Sequence, residues 1–342
     1  MGQIGLFDRE NRLAELSAMG DPLETINRVI NWKSFRPIID KAFRKERKSN
    51  AGRPPYDYVL MLKILVLQTM YGLADEQTQF QIIDRLTFRR FLGLRDEDSI
   101  PDQKTIWLFR ETLTQAGIIK KLFDLFGRML NEAGYTARKG QIIDASFVEV
   151  PRQRNTRDEN ELLKNGETPK EWEEHPEKLR QKDVDARWTK KNNETFFGYK
   201  NHACVDVKHK LIRDYATTSA EVHDSQMLET VLDPENTNAD VYADSAYFSE
   251  KTEQRLDYLW YRSRIHEKGD RSGPLTEIQQ ERNRKKSKVR VRVEHVFAQI
   301  EAMHGGVIRC IGRLRAAVKI GLLNLVYNMR RFVYLETHAC KA

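Results

Sequence analysis

Residues 141–150 read QIIDASFVEV, and the fold turns on them. β-branched and aromatic side chains fill the run and Pro151 ends it, so the stretch is predicted as a β-strand. Lys139-Gly140, just before it, marks a change of character along the chain. Downstream, residues 196–207, FFGYKNHACVDV, give a second strand, and the turn Lys208-His209-Lys210 leads to a third at 211–218. A helix over 225–232 precedes a fourth strand at 240–243, residues 261–265 offer a fifth, and a long helix is predicted over 276–303. Three strands, a helix, a strand and a late long helix form an α/β layer order, a mixed sheet flanked by helices.

Upstream the pattern is helical. Residues 58–71 form an apolar helix opened by the breaker Gly52-Arg53-Pro54-Pro55. Further helices are predicted over 75–86, 87–94 (ending near Gly93), 104–116 and 118–133. Short helices with tight links suit a helix-turn-helix-like bundle, and a plain core bundle has the same pattern. The expected division is a helical N-terminal domain at 1–135 and a strand-bearing domain at 136–342. Residues 151–196 read as an insertion between the first two strands. They hold 11 basic and 11 acidic residues and few apolar ones, which predicts a solvated segment, partly helical around 169–182. Trp172 and Trp188 within it anchor the loop to the core or stack on nucleobases.

The whole chain has 342 residues, 40% apolar and 32% charged, which excludes a disordered chain and allows a real core. A formal net charge of +8 biases partners toward polyanions. The apolar stretch 58–74 carries Lys63 and Gln68 and is too short and polar to span a bilayer. The start MGQIGLFDRE lacks the pattern of a secretion signal, and Leu6 stands where a myristoylation site has Ser or Thr. Cys204, Cys310 and Cys340 are scattered and form no CxxC, which fits a reducing cytoplasm and argues against a cysteine zinc site.

Two strand-like segments each carry one Asp in apolar company. The first is Ile142-Ile143-Asp144-Ala145-Ser146-Phe147 and the second Val241-Tyr242-Ala243-Asp244-Ser245-Ala246-Tyr247. Asp is depleted in strands, and an unpaired carboxylate there is costly unless a cation or donors compensate. A divalent metal ion is one compensator, and capping of a turn at the strand end is the other reading. The third carboxylate lies on the long helix. Residues 282–292, RNRKKSKVRVR, hold seven basic side chains in eleven, and Glu294 follows closely. Val289, Val293, Val296 and Ile300 repeat at helical spacing as a buried seam, leaving Arg290, Glu294, Ala298 and Glu301 as a separate stripe. Alone, Glu294 makes an i, i+4 pair with Arg290. Together, three carboxylates suit two divalent ions about 4 Å apart acting on a phosphodiester. Arg282, Arg284, Lys285, Lys286, Lys288, Arg290 and Arg292 would then meet the nucleic-acid backbone. Lys200 and His202 alternate on one strand face and are candidates for the same role. The pair His223-Asp224 is expected to cap the helix that starts at Ser225, Asp being a good N-cap, with metal binding as the other reading.

At this point the chain resembles the DDE transposases of bacterial insertion sequences, specifically the insertion-sequence-five family. GRPPYDYVLMLKILVLQTMYGLADEQ with PDQKTIWLFR resembles that family's N-terminal region. IIDASFVEVPRQRN resembles the segment of the first catalytic Asp, GYKNHACVD with AEVHDSQ its central strands, VYADSAYFS the segment of the second Asp, and VRVRVEHVFAQIE that of the catalytic Glu. The family's helix pattern is Tyr, two residues, Arg, three residues, Glu, six residues, Lys. Arg290 and Glu294 fit it, while Ser287 and Glu301 stand where Tyr and Lys are expected. Lys288, Arg292 or Lys200 is the expected substitute for that Lys.

The resemblance implies an RNase H-like catalytic core, with Asp144, Asp244 and Glu294 as catalytic residues and metal ligands. It implies two Mg²⁺ ions per site, with Mn²⁺ able to substitute. It implies cutting of double-stranded DNA at an element's inverted repeats and joining of 3′-hydroxyl ends to target DNA, in the bacterial cytoplasm. The helical region would bind transposon ends and assemble a homodimer or higher complex. Two other readings use the same residues: a metal-dependent nuclease without strand transfer, and a catalytically idle DNA-binding relative.

Overall fold

The computed structural model describes residues 7–44, 54–191, 193–269 and 273–339. The MGQIGL start, Gly52-Arg53 and Cys340 lie outside the described residues. Two compact units divide the chain: Met1–Leu125 with Leu325–Ala342, and Phe126–Asn324.

The first unit is helical: α1 (Asp8–Ala18), α2 (Pro22–Val29), α3 (Arg36–Phe43), α4 (Tyr58–Met70), α5 (Asp75–Asp84), α6 (Leu86–Leu92) and α7 (Gln103–Ala116). Asp57 starts α4 by accepting from Leu60 N at 3.0 Å, and Asp102 starts α7 by accepting from Thr105 N at 2.7 Å. α4 buries Met61, Leu62, Ile64, Leu65, Val66 and Leu67, so it is apolar all round and forms the hub of the bundle. Its polar residues Gln68 and Lys63 are satisfied inside. Gln68 accepts from Arg110 at 2.8 Å and donates to Asp75 at 2.7 Å, and Lys63 donates to Phe91 O at 2.8 Å. Burial pushes the Lys63 pKa down to about 8. Among the described residues no single helix is long and apolar enough to cross a membrane. α8 (Ile119–Glu132) follows, close to its predicted span.

The second unit carries six strands: β1 (Gln141–Glu149), β2 (Arg187–Lys191), β3 (Glu194–Asp206), β4 (Ile212–Ser219), β5 (Asp240–Tyr242) and β6 (Arg262–Ser263). The order is β2-β3-β1-β5-β6, with β4 also paired to β3. β3 runs antiparallel to β1, β2 and β4, whereas β1–β5 and β5–β6 are parallel. One edge of β3 serves two partners in tandem, β4 along Tyr199–Val205 and β2 along Glu194–Gly198. Gly198 sits at the hand-over with φ 148°, and a Cβ there would meet Val148 O at 2.5 Å. Only glycine fits that close approach.

Between β1 and β2 lie α9 (Arg157–Lys164), α10 (Lys170–Glu174) and α11 (Pro176–Leu179). After β4 come α12 (Leu228–Val231), α13 (Glu250–Tyr258), α14 (Glu277–His304) and α15 (Arg313–Ala339). Thr276 opens α14 with a reciprocal Thr276–Gln279 cap, and Gly305 closes it in the left-handed conformation. The result is a helical bundle followed by a mixed sheet flanked by helices, consistent with the expected RNase H-like core plus helical N-domain.

The structure alters one local expectation, decides between two readings of Trp172 and adds a helix. The charged insertion is more than a solvated loop. It contributes β2 to the sheet, and buried Asp183 ties it down by accepting from Tyr199 Oη at 2.8 Å and Gly312 N at 3.0 Å. Trp172 is wholly buried and donates to Glu159 at 2.8 Å, so it is an anchor. α15 has no counterpart in the sequence reading. It supplies Asn324, which exchanges hydrogen bonds with Asn201 of β3 at 2.8 and 3.0 Å.

Candidate catalytic site

The parallel register pairs Gln141 with Val241 and Ile142 with Tyr242. Continued by two residues, it brings Asp144 of β1 level with Asp244 just beyond β5. Neighbouring strands lie about 4.8 Å apart, so the two carboxylates share one level and one face. The opposite face of these strands holds Ile143, Val241 and Ala243, packed in a buried cluster with Tyr247, Leu256 and Ile265. The apolar residues flanking each Asp therefore fix it from behind. Asp244 starts the 3-10 turn Ser245–Tyr247, its Oδ1 accepting from Ala246 N at 2.8 Å. The small residues Ser245 and Ala246 allow that tight turn.

α14 brings the third carboxylate. Val293, Val296 and Ile300 are buried, which turns Arg290 and Glu294 together onto another face of the helix. Arg290 Nη1 donates to Asp144 Oδ2 at 2.9 Å, and its Nη2 donates to Glu294 Oε1 at 2.8 Å. One guanidinium thus spans a buried carboxylate on the sheet and a half-exposed one on the helix. Burial pushes the Asp144 pKa up to about 6. The Ala145 N–H and Arg290 pull it back, and Asp244 adds repulsion. Asp144 carries a charge that its surroundings only partly compensate.

His266 lies beside this group and shares a hydrogen bond with Ser287 Oγ at 3.3 Å. Burial and the charges of Arg290 and Lys286 lower its pKa. Ser287, in the place of the family Tyr, is thereby occupied with His266, and Glu301 is exposed.

Lys200 and His202 turn elsewhere. On β3 they pair with Phe147 and Ala145 of β1, while Ala203 pairs with Asp144. Alternation therefore puts them on the face opposite Asp144. Lys200 is buried, donating to Asp224 Oδ1 and Val222 O, both at 2.8 Å. His202 is buried and shares a 2.8 Å hydrogen bond with Thr218 Oγ1. Burial lowers the His202 pKa to about 4, so the ring is neutral at pH 7. The expected cap is corrected here: His223, through Nδ1 to Ser225 N at 3.4 Å, caps the turn Asp224–Met227, because Asp224 is drawn inward to Lys200.

The basic run on α14 splits in two. Arg282, Arg284, Lys285 and Lys288 are exposed. Lys286 donates to Ile265 O at 2.8 Å, Arg292 donates to Val207 O at 2.7 Å, and Arg290 holds the carboxylates.

Among the described residues no group of three His, Cys, Asp or Glu side chains is gathered as a metal-holding cluster. The donor chemistry nevertheless suits a hard divalent cation. Asp144 and Asp244 are level carboxylates whose mutual repulsion a cation would relieve, and Arg290 supplies positive charge between Asp144 and Glu294. Sequence reasoning missed Arg290 as a bridge, and it missed His266.

A mixed sheet flanked by helices, with a helical unit preceding it in the chain, is the architecture expected of a DDE-type transposase domain. The chain belongs to the family described as Transposase DDE domain, which matches residues 135–329. Residues 11–112 match a second family, Transposase domain (DUF772). In three dimensions the chain is similar to piggyBac transposase in a cryo-EM synaptic complex with hairpin DNA. The TM-score is 0.47 at 13% identity, over 94% of this chain and 76% of that one.

Proposed function

We propose that this chain is a transposase of the insertion-sequence-five type. It cuts double-stranded DNA at an element's inverted repeats and joins the freed 3′-hydroxyls to target DNA. The observation that carries the reading is the level placement of Asp144 and Asp244, with Glu294 held by the guanidinium that reaches Asp144. Asp144, Asp244 and Glu294 are the residues that would hold Mg²⁺, or Mn²⁺ in its place, as a pair of ions. When bound, such ions supply an activated water and stabilise the leaving oxygen. The carboxylates act as ligands, and Arg290 balances their charge. Arg282, Arg284, Lys285 and Lys288, exposed on the helix that carries Glu294, meet backbone phosphates. Residues 1–135 bind transposon ends and assemble a dimer, and residues 136–342 carry the chemistry.

The test is nicking of element-end DNA with Mg²⁺ by the parent, Asp144→Ala, Asp244→Asn and Glu294→Gln. Loss of nicking with retained DNA binding is expected, and full activity in Asp144→Ala overturns the reading. A joining assay with pre-cut ends separates transposase from nuclease.

A further inference from the structure

Backbone strain gathers at one end of the sheet. Among the described residues four that are not glycine take a positive φ, and three of them lie there: Lys139 at 67°, Lys210 at 58° and Trp260 at 62°. Lys139 precedes β1, Lys210 closes the turn from β3 to β4, and Trp260 precedes β6. Hydrogen bonds between backbones set these loops side by side. Val207 N donates to Gly140 O at 3.0 Å and Lys208 N to Arg138 O at 3.3 Å. Thr237 N donates to Ala137 O at 3.1 Å and Arg262 N to Ala239 O at 2.8 Å. Trp260 stands where α13 ends in a Schellman turn, Trp260 N donating to Asp257 O and Tyr261 N to Leu256 O, both at 2.9 Å. Glycine takes such left-handed positions at no steric cost, whereas a side chain there is strained. The chain instead holds two lysines and a tryptophan that is 89% exposed. Strain kept in this way clusters where side chains serve function.

Basic side chains line the same rim. Arg138, Lys139 and Lys208 are exposed, and Arg262 stays 60% exposed while it pairs with Asp240 at 3.1 Å. The carboxylates of these loops are engaged. Asp206 is wholly buried and accepts from His209 N at 2.7 Å, Leu211 N at 3.2 Å and Arg213 Nε at 3.2 Å. Asp240 is shared by Arg262 and Arg264, and Glu235 accepts from Asn131 at 3.1 Å. From β3 through β1 and β5 to β6 the rim crosses three strand spacings, about 14 Å, which is the rise of about four phosphates along one DNA strand.

We infer that this end of the sheet is a DNA-backbone track, separate from the cations of α14. Arg138, Lys139, Lys208 and Lys210 meet phosphates, and Trp260 packs against sugars or bases at the edge of the track. Lys139 lies five residues before Asp144, about 16 Å along the strand, so one duplex reaches both within a helical turn of about 34 Å. The inference rests on the proposed function in taking DNA as the partner.

The experiment uses the full-length chain, with Lys139→Gly and Lys210→Gly combined, Arg138→Ala and Lys208→Ala combined, and Trp260→Gly alone. Binding to element-end and unrelated duplexes is followed by fluorescence anisotropy over a range of salt, beside thermal unfolding. The glycine variants are expected to unfold at a Tm no lower than the parent's, because glycine relieves the strain. Each double variant should bind DNA at least about tenfold more weakly, with the slope of log affinity against log salt reduced by about 2. Trp260→Gly should lose roughly fivefold or more with the slope kept. Loss confined to the element-end duplex assigns the track to that DNA, and equal loss on both assigns it to any duplex backbone. Parent-like affinity and slope in both double variants overturn the inference alone. So does a lower Tm in the glycine variants, which would mark these side chains as structural, or a lost dimer with DNA affinity kept, which would mark a protein contact. A parent that binds neither duplex overturns the proposed function and this inference together.

Discussion

Arg290 meets Asp144 at 2.9 Å, joining α14 to the central strand of the sheet through a charge pair that is mostly withdrawn from water. The same guanidinium reaches Glu294 at 2.8 Å, so two of the three carboxylates share one counter-charge. That sharing makes the protonation of Asp144 depend on Arg290.

Arg290→Gln removes a positive charge that holds the Asp144 carboxyl down. The pKa, already about 6, then rises further. The acid limb of the pH profile for DNA nicking is expected to move to higher pH, whatever happens to the maximal rate. Rates measured from pH 5.5 to 8.5 check this, and an unmoved limb would show that Asp144 does not set it.

Asp144 also makes metal-free stability depend on pH. Its folded pKa of about 6 lies above the ordinary value of 3.8. The unfolded chain therefore releases this proton first. The contribution to stability is fully present below about pH 4 and is lost as pH rises through about 6. A shift of about two units corresponds to roughly 2–3 kcal/mol. In urea denaturation with EDTA, the parent is expected to lose that much more stability than Asp144→Asn between pH 4 and 7.

Lys200 and Asp224 form an ion pair with side-chain exposures of 8% and 10%. Breaking one side leaves a buried charge uncompensated, so Lys200→Ala is expected to cost about 3 kcal/mol. Lys200→Met combined with Asp224→Leu should recover most of it, as urea midpoints would show. If Lys200 instead met DNA, Lys200→Ala would flatten the salt dependence of DNA binding and leave stability unchanged.

Exposed and internally bonded cations on α14 are expected to separate in binding assays. Alanine at Arg282, Arg284, Lys285 or Lys288 should each reduce the slope of log affinity against log salt by about 1. Lys286→Ala and Arg292→Ala lose their bonds to Ile265 O and Val207 O and should register mainly in thermal stability.

β1 and α14 were legible to within a residue or so because their signals are local. β1 has a β-branched run stopped by Pro151, and α14 has the Thr276 cap and Gly305. β2, RWTKK, was not legible, since its charged sequence becomes a strand only through pairing with β3. α15 hides in the same way, its Asn324 making sense only opposite Asn201. The two Asp residues stood out by composition, but their common level comes from the β1/β5 register, a property of residues about a hundred positions apart. The inward turn of Asp224 and the opposite facing of Lys200 depend on tertiary packing and alternation across the sheet.

The stretch from Leu325 onward belongs to the same unit as the first 125 residues. During synthesis the described strands of the sheet therefore emerge between two segments of the helical unit. Domains tend to fold as units in order of emergence. Here a helical segment that emerges ahead of the strands must wait for one that emerges after them, whereas the strands between can pair with one another first.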